Sequence, residues 1–209
     1  MGRRGIAGWY REGGRPRPSA RATVSGMGSY YLAGWRIDVE RREDAPRVVA
    51  QAALARAVAA ALDAAGAPRP ASIGVILSDD AELAELNAAH MGNAGPTDVL
   101  SFPLLAPSAY PDHPGKVWRV ALDPTAADPD GFPLPPGARP HLGDIVVSVE
   151  RAVEQAEAGR GGQTGDIRWD APDELRLLVT HGSLHICGWD HADPVEEAAM
   201  RDLERRLLG

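Results

Sequence analysis

The chain has 209 residues, of which 44% are hydrophobic and 24% are charged, as in ordinary globular proteins, so a largely disordered chain is excluded. The formal net charge of −7 argues against indiscriminate nucleic-acid binding, and the one cysteine excludes an internal disulfide and a zinc site made only of cysteines. Because a lone thiol suits a reducing compartment and no apolar stretch reaches about 18 residues, we expect a cytoplasmic protein without a membrane-spanning helix.

The first 33 residues differ in composition from the rest of the chain. They are rich in Gly, Arg, Pro and Ser, and they contain one acidic residue, Glu12, and six arginines: Arg3, Arg4, Arg11, Arg15, Arg17 and Arg21. We expect residues 1–33 to be a disordered Arg/Gly-rich extension, or an overlong start upstream of Met27. An Arg-rich arm that binds RNA is the alternative. Residues 34–209 are then predicted to form a single domain.

From residue 34 onwards the patterns change repeatedly between strand and helix. Trp35, Ile37 and Val39 alternate with polar residues, which predicts a half-buried strand. The next apolar runs predict strands at 73–77 and 99–104, with helices that begin near Asp44 and Asp79.

Residues 105–140 are rich in Pro, Gly and Asp, and a stretch of this length is unusual inside a compact domain. We therefore predict an insertion near 105–140, with a small strand at 117–122. The insertion can cover the functional site or form a surface loop, and we favour the loop.

The last third of the chain predicts one strand and three helices. The strand covers 145–147, and Ser148 can cap the helix that follows it. A helix that begins near Pro172 is apolar on nearly all sides, which indicates a central position in the core. Asp193 begins the final helix. Because strands and helices do not alternate strictly, we predict an α+β fold with a small mixed sheet of about four strands and several helices.

Three histidines fall within eleven residues at the end of the apolar helix. His181 and His185 are four positions apart, so their rings leave the same face of the helix, one above the other. Gly188 can break the helix and let His191 return to the same point. Three neutral imidazoles with one open position describe a catalytic zinc site, so we predict one Zn²⁺ per chain held at the central helix.

Neighbouring residues limit what this site can do. The spacing matches the zinc motif of metzincin proteases, but the general base of those enzymes directly follows the first histidine, where this chain has Gly182. We therefore reject a peptidase. Cys187 lies on another side of the helix and is predicted to be a small core residue. Asp190 either orients a ligand imidazole from behind or caps the turn, and both roles stay open.

The sequence resembles the YbeY-type endoribonucleases in three segments that occur in the right order. They are His181–His191 with Gly188 and Asp190, the segment Pro96-Thr97-Asp98-Val99-Leu100-Ser101-Phe102-Pro103, and Leu142-Gly143-Asp144-Ile145-Val146. The resemblance covers about four fifths of the chain. It implies an α+β fold, a bound metal, usually zinc, and a hydrolase that cuts single-stranded RNA in ribosomal RNA maturation and ribosome quality control.

Two departures from this family stand out. Its members typically carry an arginine shortly before the Thr-Asp segment, and Met91 stands at that place here. A guanidinium clamps a phosphate with two hydrogen bonds, which a thioether cannot do, so the effect of Met91 on activity is open. His90 or an arginine elsewhere can substitute. The second departure is the insertion near 105–140.

The resemblance leaves the catalytic residues unassigned. Asp98, Asp144 and His90 are weak candidates for a general base, and the 2′-hydroxyl of the RNA is an alternative nucleophile. Expected partners are single-stranded RNA, ribosomal RNA and ribosomal proteins, with no DNA and no membrane. Two other functions stay open: a non-catalytic zinc-containing ribosome-assembly factor, which Met91 favours, and a metallohydrolase that acts on a small molecule.

Overall fold

A computed structural model describes residues 24–115, 138–159 and 170–209. Within these ranges, five strands form one mixed sheet: β1 (Val24–Leu32), β2 (Trp35–Arg42), β3 (Ala71–Ser78), β4 (Val99–Pro103) and β5 (His141–Ser148). The described part of the chain also contains five α-helices: α1 (Gln51–Ala64), α2 (Asp80–Leu86), α3 (Val149–Glu157), α4 (Ala171–Ile186) and α5 (Pro194–Leu208). The α+β prediction is confirmed, with five strands instead of about four.

The strand order in the sheet is β1-β2-β3-β5-β4. β2, β3 and β5 are parallel to one another, whereas the two outer strands run antiparallel to their neighbours. A parallel pair needs a long crossover connection, and α1 provides it between β2 and β3. The central strands are therefore buried, as their apolar sequences require.

Strand β1 corrects the predicted domain boundary at residue 34. It lies inside the segment 1–33 that we expected to be disordered, and it pairs with β2 from Val24 to Leu32. Its apolar residues Tyr30 and Leu32 pack against the core, although the surrounding glycines and serines hide any clear alternation in the sequence. The domain therefore includes β1, and the expectation of a disordered extension at residues 1–23 lies outside the described residues.

The main core lies between one face of the sheet and the helices α1 and α4. Inward residues of neighbouring strands meet there, among them Ile37, Ile73 and Ile145, all fully buried. Helix α1 begins at Gln51, later than its predicted start near Asp44, because Ala50 has extended backbone angles. It ends at Ala64, and Gly66 follows with a φ of 66°, which favours glycine.

The other face of the sheet carries a smaller cluster covered by α2. Asp79 caps this helix by accepting a hydrogen bond from the backbone of Glu82. The Glu82 side chain is buried and forms two hydrogen bonds of 2.9 Å with the Arg42 guanidinium. Burial alone would raise the pKa of Glu82, but the hydrogen bonds from Arg42 and Ser78 outweigh it and hold the pKa below its usual value.

In the described beginning of the predicted insertion most residues are exposed, but one aromatic side chain anchors the segment in the core. After a short 3₁₀ turn, Pro107–Ala109, the side chain of Tyr110 is 4% exposed and belongs to the main core. Pro111 then lies against Gly66 at the end of α1. The predicted strand at 117–122 lies outside the described residues.

The last two helices of the chain, α4 and α5, begin at residues that can cap a helix. Asp170 and Asp193 cap α4 and α5, and each helix has a proline in its first turn. Helix α4 is buried along most of its length and packs against α1, α3, α5 and the strands β4 and β5. Within the described ranges, no helix has the length and hydropathy needed to cross a membrane.

Candidate metal centre

Helix α4 approaches the sheet closely because it carries glycine at position 182. A Cβ atom built there would lie 2.7 Å from Ile145 Cγ2 and 3.1 Å from Ser101 Oγ. The Ser101 hydroxyl also donates a hydrogen bond of 3.1 Å to the Gly182 carbonyl. The position that holds the general base in metzincins is thus pressed against the sheet here, which gives the rejection of a peptidase a structural reason.

His181 and His185 lie on the same side of α4 and present their Nε2 atoms to each other. The two atoms are 3.0 Å apart, and the rings stand nearly perpendicular with centroids 4.5 Å apart. This is the arrangement that the four-residue spacing predicts. The structure therefore brings both predicted ligands to one point.

His191 reaches the same point after a sharp turn. Helix α4 ends at Ile186, and Gly188 follows with a φ of 83°, which reverses the chain direction. The ring centroid of His191 lies 5.4 Å from that of His181 and 5.1 Å from that of His185. One nitrogen from each ring falls within a group whose atoms all lie within 4.8 Å of one another, so the three residues can hold a metal ion.

The hydrogen bonds on the far side of two rings set which nitrogen is free to bind. His185 Nδ1 lies 2.8 Å from the Trp189 carbonyl oxygen, which can only accept, so Nδ1 carries the hydrogen. His181 Nδ1 lies 2.7 Å from Glu204 Oε1, and a carboxylate there accepts in the same way. In the neutral rings both Nε2 atoms then carry lone pairs that point at each other, and a shared cation relieves their repulsion.

The protonation of His185 favours metal binding as well. Desolvation by burial, followed by the proximity of His181 and His191, holds the pKa of His185 well below its usual value. The ring is therefore neutral near pH 7, which is the form that coordinates a metal.

The donor set fits zinc. Two nitrogens at 2.0–2.1 Å from a tetrahedral ion lie about 3.3 Å apart, close to the 3.0 Å between the two Nε2 atoms. Imidazole nitrogens suit zinc and other transition metals, whereas magnesium and calcium prefer oxygen ligands. His191 is exposed, so one side of the group is open to solvent and to a substrate.

Glu204 is a residue that the sequence analysis missed. It lies in the last turns of α5, is buried, and contacts His181 from a distance of 23 positions along the chain. A glutamate at an apolar face of the last helix was the only local signal, and it does not identify the partner. A carboxylate behind a ligand imidazole fixes the ring and its tautomer.

Asp190, predicted either to orient a ligand or to cap the turn, has the contacts of a cap. Its Oδ1 atom accepts the backbone N–H of His191 at 2.8 Å, and its own N–H donates to the Gly115 carbonyl at 2.9 Å. Cys187 is fully buried in the core, as predicted, and burial raises the pKa of its thiol far above the usual value.

Asp144 and His90 lie on the face of the sheet that is opposite to α4. Ile145 faces Gly182 in α4, and adjacent strand residues point to opposite faces, so Asp144 points away from the histidines. Its carboxylate contacts His141 Nε2 at 3.0 Å in a space that the missing side chain of Gly74 leaves open. His90 packs edge-on against Phe102, which belongs to the cluster on this opposite face.

The Asp98 carboxylate is occupied by contacts that hold the chain before β4. Its Oδ1 atom accepts the backbone N–H of Val99 at 2.9 Å and the Thr97 hydroxyl at 3.3 Å. Its Oδ2 atom accepts from Gln155 in α3 at 3.2 Å. The contacts are those of a structural residue.

Met91 ends a π-helical turn, Asn87–Met91, and its side chain is 36% exposed. Gly92 follows with a φ of 69° and turns the chain towards the Thr-Asp segment. An exposed position on a turn accepts a longer charged side chain without repacking, so an arginine fits here sterically.

The family model and the curated relatives that match this chain agree with the sequence motifs. The family model described as "Endoribonuclease YbeY" matches residues 37–209. A curated protein named endoribonuclease YbeY from Salinispora tropica is 40% identical over 149 residues, 71% of this chain and 79% of the relative. One with the same name from Symbiobacterium thermophilum is 38% identical over 170 residues, 81% and 86% of the two chains. The solution structure of TM1509 from Thermotoga maritima covers 83% of this chain at 20% identity with a TM-score of 0.43.

Proposed function

The chain belongs to the YbeY endoribonuclease family, and from this membership we propose that it is a zinc-dependent endoribonuclease that cuts single-stranded RNA. Its substrate is ribosomal RNA during maturation, and its role includes ribosome quality control. The observation that carries the proposal is the convergence of His181, His185 and His191, with two rings held by hydrogen bonds from behind.

The three histidines would hold the zinc ion, and each chain would bind one such ion. When bound, zinc supplies Lewis acidity towards a phosphate oxygen and lowers the pKa of water. Glu204 keeps a proton on Nδ1 of His181, and the Trp189 carbonyl keeps one on Nδ1 of His185. Because His191 is exposed, a phosphodiester can approach the group from its side.

The general base stays unassigned in this proposal. The carboxylates of Asp98 and Asp144 are engaged by other side chains, and His90 packs against the cluster on the opposite face of the sheet. None of the three contacts the histidine group. The 2′-hydroxyl of the RNA or a water molecule can serve as the nucleophile, and the two routes differ in their products, because only the first gives a 2′,3′-cyclic phosphate.

A second function is a non-catalytic ribosome-assembly factor that keeps zinc as a structural element. Met91 favours it, because the family arginine that would stabilise charge on the phosphate is absent from this position. In that case the chain binds ribosomal RNA or a ribosomal protein without cutting.

The experiment is single-turnover cleavage of a labelled single-stranded RNA by the full chain, before and after treatment with a chelator. We expect cleavage that the chelator abolishes and that added zinc restores, with double-stranded RNA and single-stranded DNA left intact. His185→Ala should lose the cleavage. The product ends, examined for a 2′,3′-cyclic phosphate, identify the nucleophile.

Two other outcomes separate the alternatives. Binding of ribosomal RNA with no cleavage by zinc-loaded protein would replace the enzyme by the assembly factor. Hydrolysis of a small chromogenic phosphodiester with no action on RNA would indicate a small-molecule metallohydrolase.

A further inference from the structure

The described segment that follows β4 is anchored near its middle by two adjacent residues. The Tyr110 side chain lies in the main core, and Pro111 lies against Gly66 after α1. From there the chain crosses towards the end of α4. We call residues 113–115 the clamp segment and residues 187–191, which connect α4 to the last ligand, the ligand loop.

The clamp segment holds the ligand loop by three separate contacts. The His113 ring is stacked on the Trp189 ring, with centroids 4.1 Å apart and planes within 6° of parallel. The Gly115 backbone lies so close to the same indole that a Cβ atom there would clash, with Trp189 Cζ3 only 2.9 Å away. The Gly115 carbonyl also accepts the Asp190 N–H at 2.9 Å.

The two residues that the clamp segment contacts are each hydrogen-bonded to one of the predicted ligands. The Trp189 carbonyl accepts from His185 Nδ1 at 2.8 Å, and the Asp190 carboxylate accepts the His191 backbone N–H at 2.8 Å. A shift of the indole or of Asp190 therefore moves the hydrogen-bond partner of one ligand and the backbone of another.

We propose that the clamp segment, through His113 and Gly115, is a positioning element that preorganises the ligand loop for metal binding. The proposal rests on the proposed metal centre and adds to it a role for the beginning of the insertion. Neither residue coordinates the metal in this assignment. His113 acts through the buried Trp189, and Gly115 acts through both Trp189 and Asp190.

The expected effect is a loss of metal affinity. Residues that orient ligands from behind typically contribute about 10–100-fold to the affinity of a metal site. His113→Ala removes the stacked ring, and Gly115→Ala forces the indole away from the clamp segment. We expect each variant to bind Zn²⁺ about 10-fold more weakly than the parent chain.

The assay is a competition for Zn²⁺ between the metal-free full chain and a zinc-binding dye, well below the melting temperature. Circular dichroism and melting of the metal-free variants establish that the folded protein is being measured. Gly26→Ala is a matched glycine control, because a Cβ atom there meets nothing within 4 Å. His113→Phe keeps a flat ring for the stack and removes the nitrogens.

The outcomes distinguish a failure of this inference from a failure of the proposed metal site. Weaker binding by His113→Ala and Gly115→Ala, with parental affinity in His113→Phe and Gly26→Ala, supports the positioning role. Parental affinity in all variants overturns it while leaving the metal centre in place. Equal losses in His113→Phe and His113→Ala overturn the stacking role, and a parent chain that binds no metal overturns both.

Discussion

The hydrogen bond from His181 to Glu204 should set much of the metal affinity. The carboxylate lies 2.7 Å from Nδ1 and is buried against the ring, so it holds the hydrogen on the nitrogen that faces away from the other ligands. Without an acceptor at this place the hydrogen can move to Nε2, and that tautomer cannot coordinate a metal.

Two substitutions separate the charge of Glu204 from its hydrogen bond. Glu204→Gln keeps an acceptor oxygen and loses the charge, so we expect about a 10-fold loss of zinc affinity. Glu204→Ala removes the acceptor as well, and we expect about a 100-fold loss, equivalent to about 2.7 kcal/mol of binding free energy. Both values follow from a single orienting contact at a single ligand.

The measurement is competition for Zn²⁺ with a chelating dye at pH 7.5, on metal-free protein shown to be folded. Glu197→Gln is the matched control, because Glu197 lies on the same helix in a partly exposed ion pair with Arg201, and surface ion pairs contribute little. If both Glu204 variants bind zinc as tightly as Glu197→Gln does, the carboxylate does not orient His181 and the reasoning is refuted.

Four further outcomes are expected. Met91→Arg should speed single-turnover RNA cleavage by up to about 100-fold, since a fixed cation stabilises charge that develops on the phosphate, and an unchanged rate would mean that another residue fills this role. Deletion of residues 1–23 should leave the melting temperature nearly unchanged. Deletion of residues 1–33 should lower the free energy of unfolding by about 3 kcal/mol, because it removes a strand with two side chains against the core. Equal melting temperatures of the two deletion variants would contradict this. Gly182→Ala should destabilise the fold by about 1–3 kcal/mol in urea unfolding, because the added methyl group meets the sheet, and parental stability would show that the helix shifts freely. The contribution of ionised Glu82 to the free energy of unfolding should be fully present above its unfolded pKa of about 4.3 and should fall as pH drops through its lower folded pKa. Glu82→Gln should therefore weaken the dependence of the free energy of unfolding on acid pH. An unchanged pH dependence would refute this.

Elements with local signals were predictable from the order of the amino acids. The spacing of His181 and His185 on an apolar helix, with Gly188 after it, predicted the convergence that the structure has. The cap at Asp193 and the alternation after Trp35 likewise predicted α5 and β2. Such patterns predict structure because backbone geometry alone sets the relative positions of side chains within one helical turn or one strand.

The surroundings of the metal centre depend on long-range packing and were not predictable from local patterns. Asp144 and His90 looked like candidates because motifs carry no information about which face of a sheet a residue occupies, and pairing placed them opposite α4. Glu204 and His113 contact the ligands or their loop across long stretches of chain, and β1 became a strand because β2 offered it a partner. Contacts between distant segments arise from packing of the whole chain, and a local pattern cannot specify them.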